Sequence, residues 1–130
     1  MVARVSTESF TTAAVKNKSG KFVEPTLAST SAAGTGVKIP ANLGLSVIDS
    51  PNPASYPISS QTFVDVYKDL CKGGLDEGKA KAVKGFIDYG LGEGQSVLGQ
   101  LQYAKLPAGL LTKTKAAADG LTCNGSPITG

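Results

Sequence analysis

Two glycine-rich stretches, a serine pair and two cysteines are the residues of this 130-residue chain whose types and spacing could do chemistry. Gly90-Leu91-Gly92-Glu93-Gly94 opens a helical pattern in the manner of an anion-cradling loop. Such a loop needs a preceding strand, converging backbone N–H groups and usually a lysine. Here the preceding period is helical and Glu93 would repel an anion, so the stretch reads as a helix-to-helix turn. Gly34-Thr35-Gly36 runs into an extended segment holding Pro40 and is no better placed. A nucleophile needs a base in reach, yet histidine is absent and no spacing nominates a lysine or carboxylate for that role. Ser59-Ser60, close after Pro57, reads as small polar residues that satisfy backbone groups. Asp76-Glu77 fits the acidic first turn that a helix dipole favours. These patterns nominate no catalytic or ligand-binding constellation, and they imply no cofactor.

Cys71 and Cys123 form the only internal pair the composition allows. Both sit in Gly-rich exits from secondary structure, Leu70-Cys71-Lys72-Gly73-Gly74 and Thr122-Cys123-Asn124-Gly125, and neither has the setting of a buried core cysteine. A disulfide is the preferred reading and favours an oxidising compartment; two free thiols are the alternative. With no histidine and no further cysteine, the pair lacks the usual partners of a zinc site.

Apolar residues make up 41% of the chain and aromatics 6%, with no tryptophan. Burial must then rest on Val, Leu, Ile and Ala, with Phe22, Phe63, Phe86 and Tyr67 as the expected larger anchors. The net charge of +3 and the lysines at 16, 18, 21, 79, 81 and 84 describe solvated faces. A nucleic-acid footprint would interleave arginines and stacking aromatics, and Arg4 is the lone arginine. No apolar run reaches the roughly 18–20 residues of a membrane span. Met1-Val2-Ala3-Arg4 lacks the apolar region of a secretory signal, so an exported form would have its signal removed or encoded further upstream.

Elements follow from period and punctuation. Residues 11–16 and 21–24 read as strands joined by Asn17-Lys18-Ser19-Gly20, a hairpin whose final glycine supplies positive φ. Pro25 stops the second strand, and Thr26 caps a short helix that ends at Gly34. Residues 43–48 read as β-rich, bounded by Asp49-Ser50-Pro51-Asn52-Pro53. Tyr56-Pro57-Ile58-Ser59-Ser60 is expected to be extended, because the residue before proline avoids the α region. Residues 62–67 (Thr-Phe-Val-Asp-Val-Tyr) follow as a strand dense in β-branched and aromatic residues. Leu75, Ala82, Val83, Phe86, Ile87 and Gly90 then line one helical face, with Lys79, Lys81, Lys84 and Asp88 off it. Val97, Leu98 and Leu101 mark a shorter helix. Leu110, Leu111, Thr114, Ala117, Ala118 and Leu121 mark a third, opened by Pro107 and ended by Gly120.

In order and spacing these pieces resemble a known family. Residues 14–26, Ala-Val-Lys-Asn-Lys-Ser-Gly-Lys-Phe-Val-Glu-Pro-Thr, are followed by Ser29-Thr30-Ser31-Ala32-Ala33, Tyr56-Pro57-Ile58-Ser59, Thr62-Phe63 and Val66-Tyr67-Lys68-Asp69. Gly94-Gln95, then Leu101, Tyr103-Ala104 and Leu106-Pro107, and finally Cys123-Asn124-Gly125-Ser126-Pro127-Ile128 complete the run. Together they resemble the C-terminal part of the phosphate-binding proteins that serve phosphate ABC transporters.

That resemblance implies a partial type II periplasmic-binding-protein-like α/β fold. Residues 1–54 would be the end of a second lobe (β-hairpin, short helix, strand). Residues 55–61 would form a hinge crossing centred on Tyr56, Pro57, Ile58 and Ser59, and residues 62–130 a strand and helices returning to the first lobe. It implies a non-enzymatic, periplasmic or cell-surface protein that captures phosphate and delivers it to a permease. The family grips phosphate in its N-terminal half, through a Gly-Ser-Gly-Thr-type loop, an arginine and a carboxylate. None has a counterpart here: Gly125-Ser126 is followed by proline, and Arg4 precedes no such loop. Partners would be the permease and the N-terminal half of the same protein, or a second copy through open apolar faces. A stand-alone structural or interaction module on the same scaffold is the alternative.

Overall fold

A computed structural model of the chain describes residues 11–129. Strands β1 (Val15–Lys16) and β2 (Phe22–Val23) pair antiparallel, with Val15 opposite Val23 and Lys16 opposite Phe22. Gly20 takes φ +81°, and its N–H donates to the Asn17 carbonyl at 2.8 Å. The expected hairpin is thus present, its strands shorter than the sequence suggests. Helix α1 (Leu27–Ala32) starts from a reciprocal cap. Thr26 Oγ1 accepts the Ser29 N–H at 3.1 Å, and Ser29 Oγ accepts the Thr26 N–H at 3.0 Å. Two of the four N–H groups that a helix start leaves open are satisfied in this way.

Between α1 and the next helix, three expectations are corrected. Residues 43–48 are not a strand. Asn42 Oδ1 accepts the Gly44 N–H at 3.1 Å, and Leu43 sits at φ +59°. This side-chain turn diverts the backbone before a ladder can start. Residues 56–60 are not extended either: the Ser59 N–H and Oγ both donate to the Tyr56 carbonyl, at 3.3 and 2.8 Å, and close a turn. Residues 62–67 run without helix or turn but are no strand, because no described residue pairs with them.

Helix α2 (Glu77–Leu91) begins at Asp76, whose carboxylate accepts the Lys79 N–H at 2.8 Å. Its inward face is Ala80, Val83, Lys84 and Ile87, one position round from the expected face. Ala82 and Phe86 point to solvent. The core cluster is Leu70, Ala80, Leu121 and Ile128, with Cys71, Leu75, Val83, Ile87 and Cys123 packed on it. Lys84 is buried although the sequence placed it off the face. Its stem lies in the core boundary while Nζ reaches the Asp88 carboxylate at 2.7 Å, as long cationic side chains commonly do.

The second short helix is not α-helical. A 3₁₀ turn (Glu93–Ser96) follows Gly92 and gives way to turns through Gln102. Glycines at 92, 94 and 99 and the positive φ of Gln102 break the pattern that Val97, Leu98 and Leu101 suggested. Helix α3 (Ala108–Asp119) starts after Pro107 and closes at Gly120, burying Leu110 and Ala118. Strands β3 (Thr122–Cys123) and β4 (Ser126–Pro127) form a second hairpin. Its two-residue turn, Asn124-Gly125 at φ +51° and +83°, has the mirror-image geometry that matches strand twist.

The described chain is therefore mixed, three α-helices with two short antiparallel hairpins. All four expected aromatic anchors lie outside its core. Phe22 is 72% exposed, Phe63 51%, Phe86 69% and Tyr67 71%.

Candidate functional site

The sequence nominated two groups of residues, the Tyr56-Pro57-Ile58-Ser59 segment and the cysteines. No hydrogen bond among the described residues joins one group to the other. Each is built around one polar side chain that the sequence reading passed over.

At the first, Asn17 is buried at the root of the β1–β2 turn. Its Oδ1 accepts the N–H groups of Ser19 and Lys21, each at 3.1 Å. Its Nδ2 donates to the carbonyls of Pro53 at 3.0 Å and Ser55 at 3.1 Å. All four capacities of the amide are filled, and the hairpin is thereby fixed to the loop that leads into Tyr56. Ser55 is fully buried, its Oγ donating to the carbonyls of Asn52 at 2.7 Å and Ser50 at 3.1 Å. The Tyr56 N–H donates to the Ser29 carbonyl at 3.1 Å, and the Pro57 carbonyl accepts the Asp49 N–H at 2.8 Å. Ser59 is buried and Ile58 exposed. The four nominated residues thus sit together on a turn held from both sides, by α1 and by the 49–55 loop.

The second is a corner where the start of α2 meets the end of α3. Cys71 and Cys123 are joined by a disulfide with their Cα atoms 4.8 Å apart. Neither is a buried core cysteine: both are half-buried and pack against the edge of the core cluster. The Leu70 N–H donates to the Thr122 carbonyl, and the Thr122 N–H to the Lys68 carbonyl, at 2.8 and 2.9 Å, as a parallel bridge. Asp69 completes the corner: its carboxylate accepts the N–H groups of Lys72 at 3.1 Å, Asn124 at 3.0 Å and Gly125 at 2.8 Å. Desolvation pushes the Asp69 carboxyl up, but these backbone donors, Lys72, Gly125 and Asn124, outweigh it and hold the group below the usual carboxylate range. Asn124-Gly125 is the signal that could have predicted this corner from the sequence, since that dipeptide marks a tight hairpin turn.

Among the described residues every buried side-chain nitrogen or oxygen has a hydrogen-bond partner. A shallow cavity of about 330 Å³ lies beside the disulfide corner, lined by Glu77, Lys81, Asn124, Ser126 and Ile128 among others. Its one cation, Lys81 Nζ, is already paired with Glu77 at 3.0 Å. An anion bound there would meet that carboxylate. Gly90-Leu91-Gly92-Glu93-Gly94 joins α2 to the 3₁₀ turn, and a side chain at Gly94 would run into the Tyr89 carbonyl, 2.8 Å from where its Cβ would lie. Close packing of one turn on another accounts for that glycine. Among the described residues no group of His, Cys, Asp or Glu is arranged to hold a metal ion, and no helix is long and apolar enough to cross a membrane.

No protein-family model matches the chain. It is similar to two curated phosphate-binding proteins named PstS. With that of Pasteurella multocida it shares 28% identity over 106 residues, 80% of this chain and 30% of the relative. With that of Methanocaldococcus jannaschii it shares 36% identity over 91 residues, 64% of this chain and 23% of the relative. The chain thus spans less than a third of the length of either relative.

Proposed function

We propose that this chain is the C-terminal portion of a phosphate-binding protein that captures inorganic phosphate and delivers it to an ABC transporter permease. In this reading it supplies scaffold, while the groups that hold the anion lie elsewhere in the polypeptide. The similarity to two phosphate-binding proteins, one bacterial and one archaeal, carries the reading. The chain's own geometry is consistent with it. A dehydrated anion requires several converging donors, and the buried polar groups here are committed to one another. The working site would be periplasmic or at the cell surface, where a disulfide persists.

Within this reading, residues 1–54 are the end of one lobe, 55–61 the crossing between lobes, and 62–130 the return to the other. Asn17 and Ser29 then act on the crossing segment, holding Ser55 and Tyr56 to the preceding lobe. Substrate capture without chemistry makes the protein a binding component and not an enzyme.

Immunoblotting of source cells with serum against this chain tests the reading. The expected product is a polypeptide well above 13.2 kDa, which retains labelled phosphate when captured on the serum. A 13.2 kDa product that retains none would instead mark a stand-alone module.

A further inference from the structure

We propose that Asn124 is a site of spontaneous modification, in which its amide is hydrolysed to a carboxylate through a cyclic imide, and that the Asp69 carboxylate guards it while the disulfide corner is closed. Of the asparagines at 17, 42, 52 and 124, Asn124 is the one followed by glycine. That neighbour decides the chemistry. The Gly125 backbone nitrogen must reach Cγ of Asn124, and glycine, with no Cβ, lets the backbone take the conformations that bring the two together. Asn124 and Gly125 are both exposed, and a side chain added at Gly125 would meet nothing within 4 Å. Packing does not shield the turn, and water reaches it directly. The reaction needs no reagent besides that water. The Gly125 nitrogen gives its proton to solvent and forms a bond to Asn124 Cγ. The bond from Cγ to Nδ2 breaks, and ammonia leaves with a proton from solvent. Water then opens the imide at either carbonyl. One opening leaves aspartate, the other isoaspartate, whose main chain runs through the former side chain and is longer by a methylene.

Asp69 opposes the first of these steps. Its Oδ2 accepts the Gly125 N–H at 2.8 Å and its Oδ1 the Asn124 N–H at 3.0 Å. The proton that must leave therefore sits in a charge-assisted bond, and negative charge on the nitrogen would develop against a carboxylate. The Asn124 amide meanwhile lies toward Cys123, with Nδ2 3.9 Å from Sγ. Asp69 is poorly suited to take the proton itself, because its carboxyl titrates below the ordinary range and a weak base is an inefficient proton acceptor. Opening of the corner removes the guard, and the product keeps the corner open. Either product sets a second carboxylate beside Asp69, and isoaspartate also lengthens the turn between the paired Cys123 and Ser126.

Peptide mapping over time in neutral buffer tests this, with aspartate and isoaspartate at residue 124 resolved by mass and retention. The oxidised, folded chain is compared with the reduced chain unfolded in urea. A hydrogen bond to a charged acceptor corresponds to about 10- to 100-fold in a rate, so folding should slow conversion of Asn124 by at least that much. Equal rates overturn the guard, and this comparison needs no variant. Conversion that appears first at Asn17, Asn42 or Asn52 in the unfolded chain overturns the choice of site. Asp69→Asn keeps the shape and removes the charge, and should speed conversion in the folded chain by about tenfold or more. A slower rate in Asp69→Asn would make the carboxylate the base, and an unchanged rate would make it a bystander; both overturn the guard. Asn17→Asp loosens the remote hairpin with Asp69 intact and should leave the rate at Asn124 near that of the parent. A rise matching that of Asp69→Asn would show that the rate follows global stability, and would overturn the guard as well.

Discussion

The Asn17 side-chain amide donates to the Ser55 carbonyl at 3.1 Å across 38 residues of sequence. A second donation from the same nitrogen, to Pro53, makes this amide the fastening between the first hairpin and the loop entering the Tyr56 turn. Asn17→Asp keeps the shape and the acceptor but replaces two donations with a carboxylate facing two carbonyls. Leaving a buried carbonyl unpaired costs about 1–3 kcal/mol; Ser55 is buried and Pro53 exposed, so Asn17→Asp should lose about 2 kcal/mol in urea unfolding at neutral pH. A loss below about 0.5 kcal/mol, the level of an ordinary surface substitution, would show that the fastening is dispensable.

The disulfide closes a loop of 52 residues, which in the chain-entropy model corresponds to about 4 kcal/mol. Cys71→Ser with Cys123→Ser should therefore lower the urea midpoint strongly, and reduction of the unmutated chain should give the same loss. Intact mass after alkylation, with and without reductant, reports the bond directly: an equal count of alkylated thiols in both conditions contradicts it.

Acid should loosen the corner. The carboxyls of Asp69 and Asp76 titrate below the ordinary 3.8. For Asp76 the Lys79 backbone N–H is the main cause and the Lys79 ammonium the next. A depressed folded value means the stabilisation is fully present above pH 3.8 and is lost as pH falls through the folded values. Melting temperature should thus be flat from pH 7 to about 5 and decline below about 4. In Asp69→Asn the melting temperature should be lower at pH 7 and the acid decline shallower. An unchanged decline assigns it to other carboxylates.

Lys84 and Asp88 give an asymmetric prediction. The Lys84 side chain is 10% exposed and that of Asp88 43%. Asp88→Ala strands a buried ammonium, whereas Lys84→Met keeps the apolar stem and removes the charge. Asp88→Ala should cost about 1–2 kcal/mol, below the range for fully buried pairs because water reaches the carboxylate. Lys84→Met should lie within about 0.5 kcal/mol of the parent. Equal losses for both would mean the pair itself, and not the stranded charge, is what matters.

Local punctuation was readable in the sequence and tertiary partnership was not. Gly20, Thr26, Pro107 and Gly120 stand at a turn, two helix starts and a helix end, where sterics and capping put such residues. Residues 62–67 misled because β-propensity reports a pleated surface that needs neighbours, and none of the described residues provides them. Phe86 misled for a related reason: its spacing with Val83 and Ile87 admits two adjacent faces, and Ala80 and Lys84 mark the one this chain buries. Asn17 and Asp69 were passed over as polar residues in turns, since their value lies in carbonyls and N–H groups 36 to 56 residues away. Asn124-Gly125 marks its hairpin from the dipeptide alone.

The most direct test is isothermal titration of inorganic phosphate into the oxidised chain at neutral pH. If the anion-holding groups lie outside these residues, only dilution heat appears up to about 1 mM phosphate, an affinity weaker than about −4 kcal/mol. Saturable one-to-one binding with a Kd below about 10 µM, near −7 kcal/mol, would contradict the account at its centre. The grip would then reside in this polypeptide.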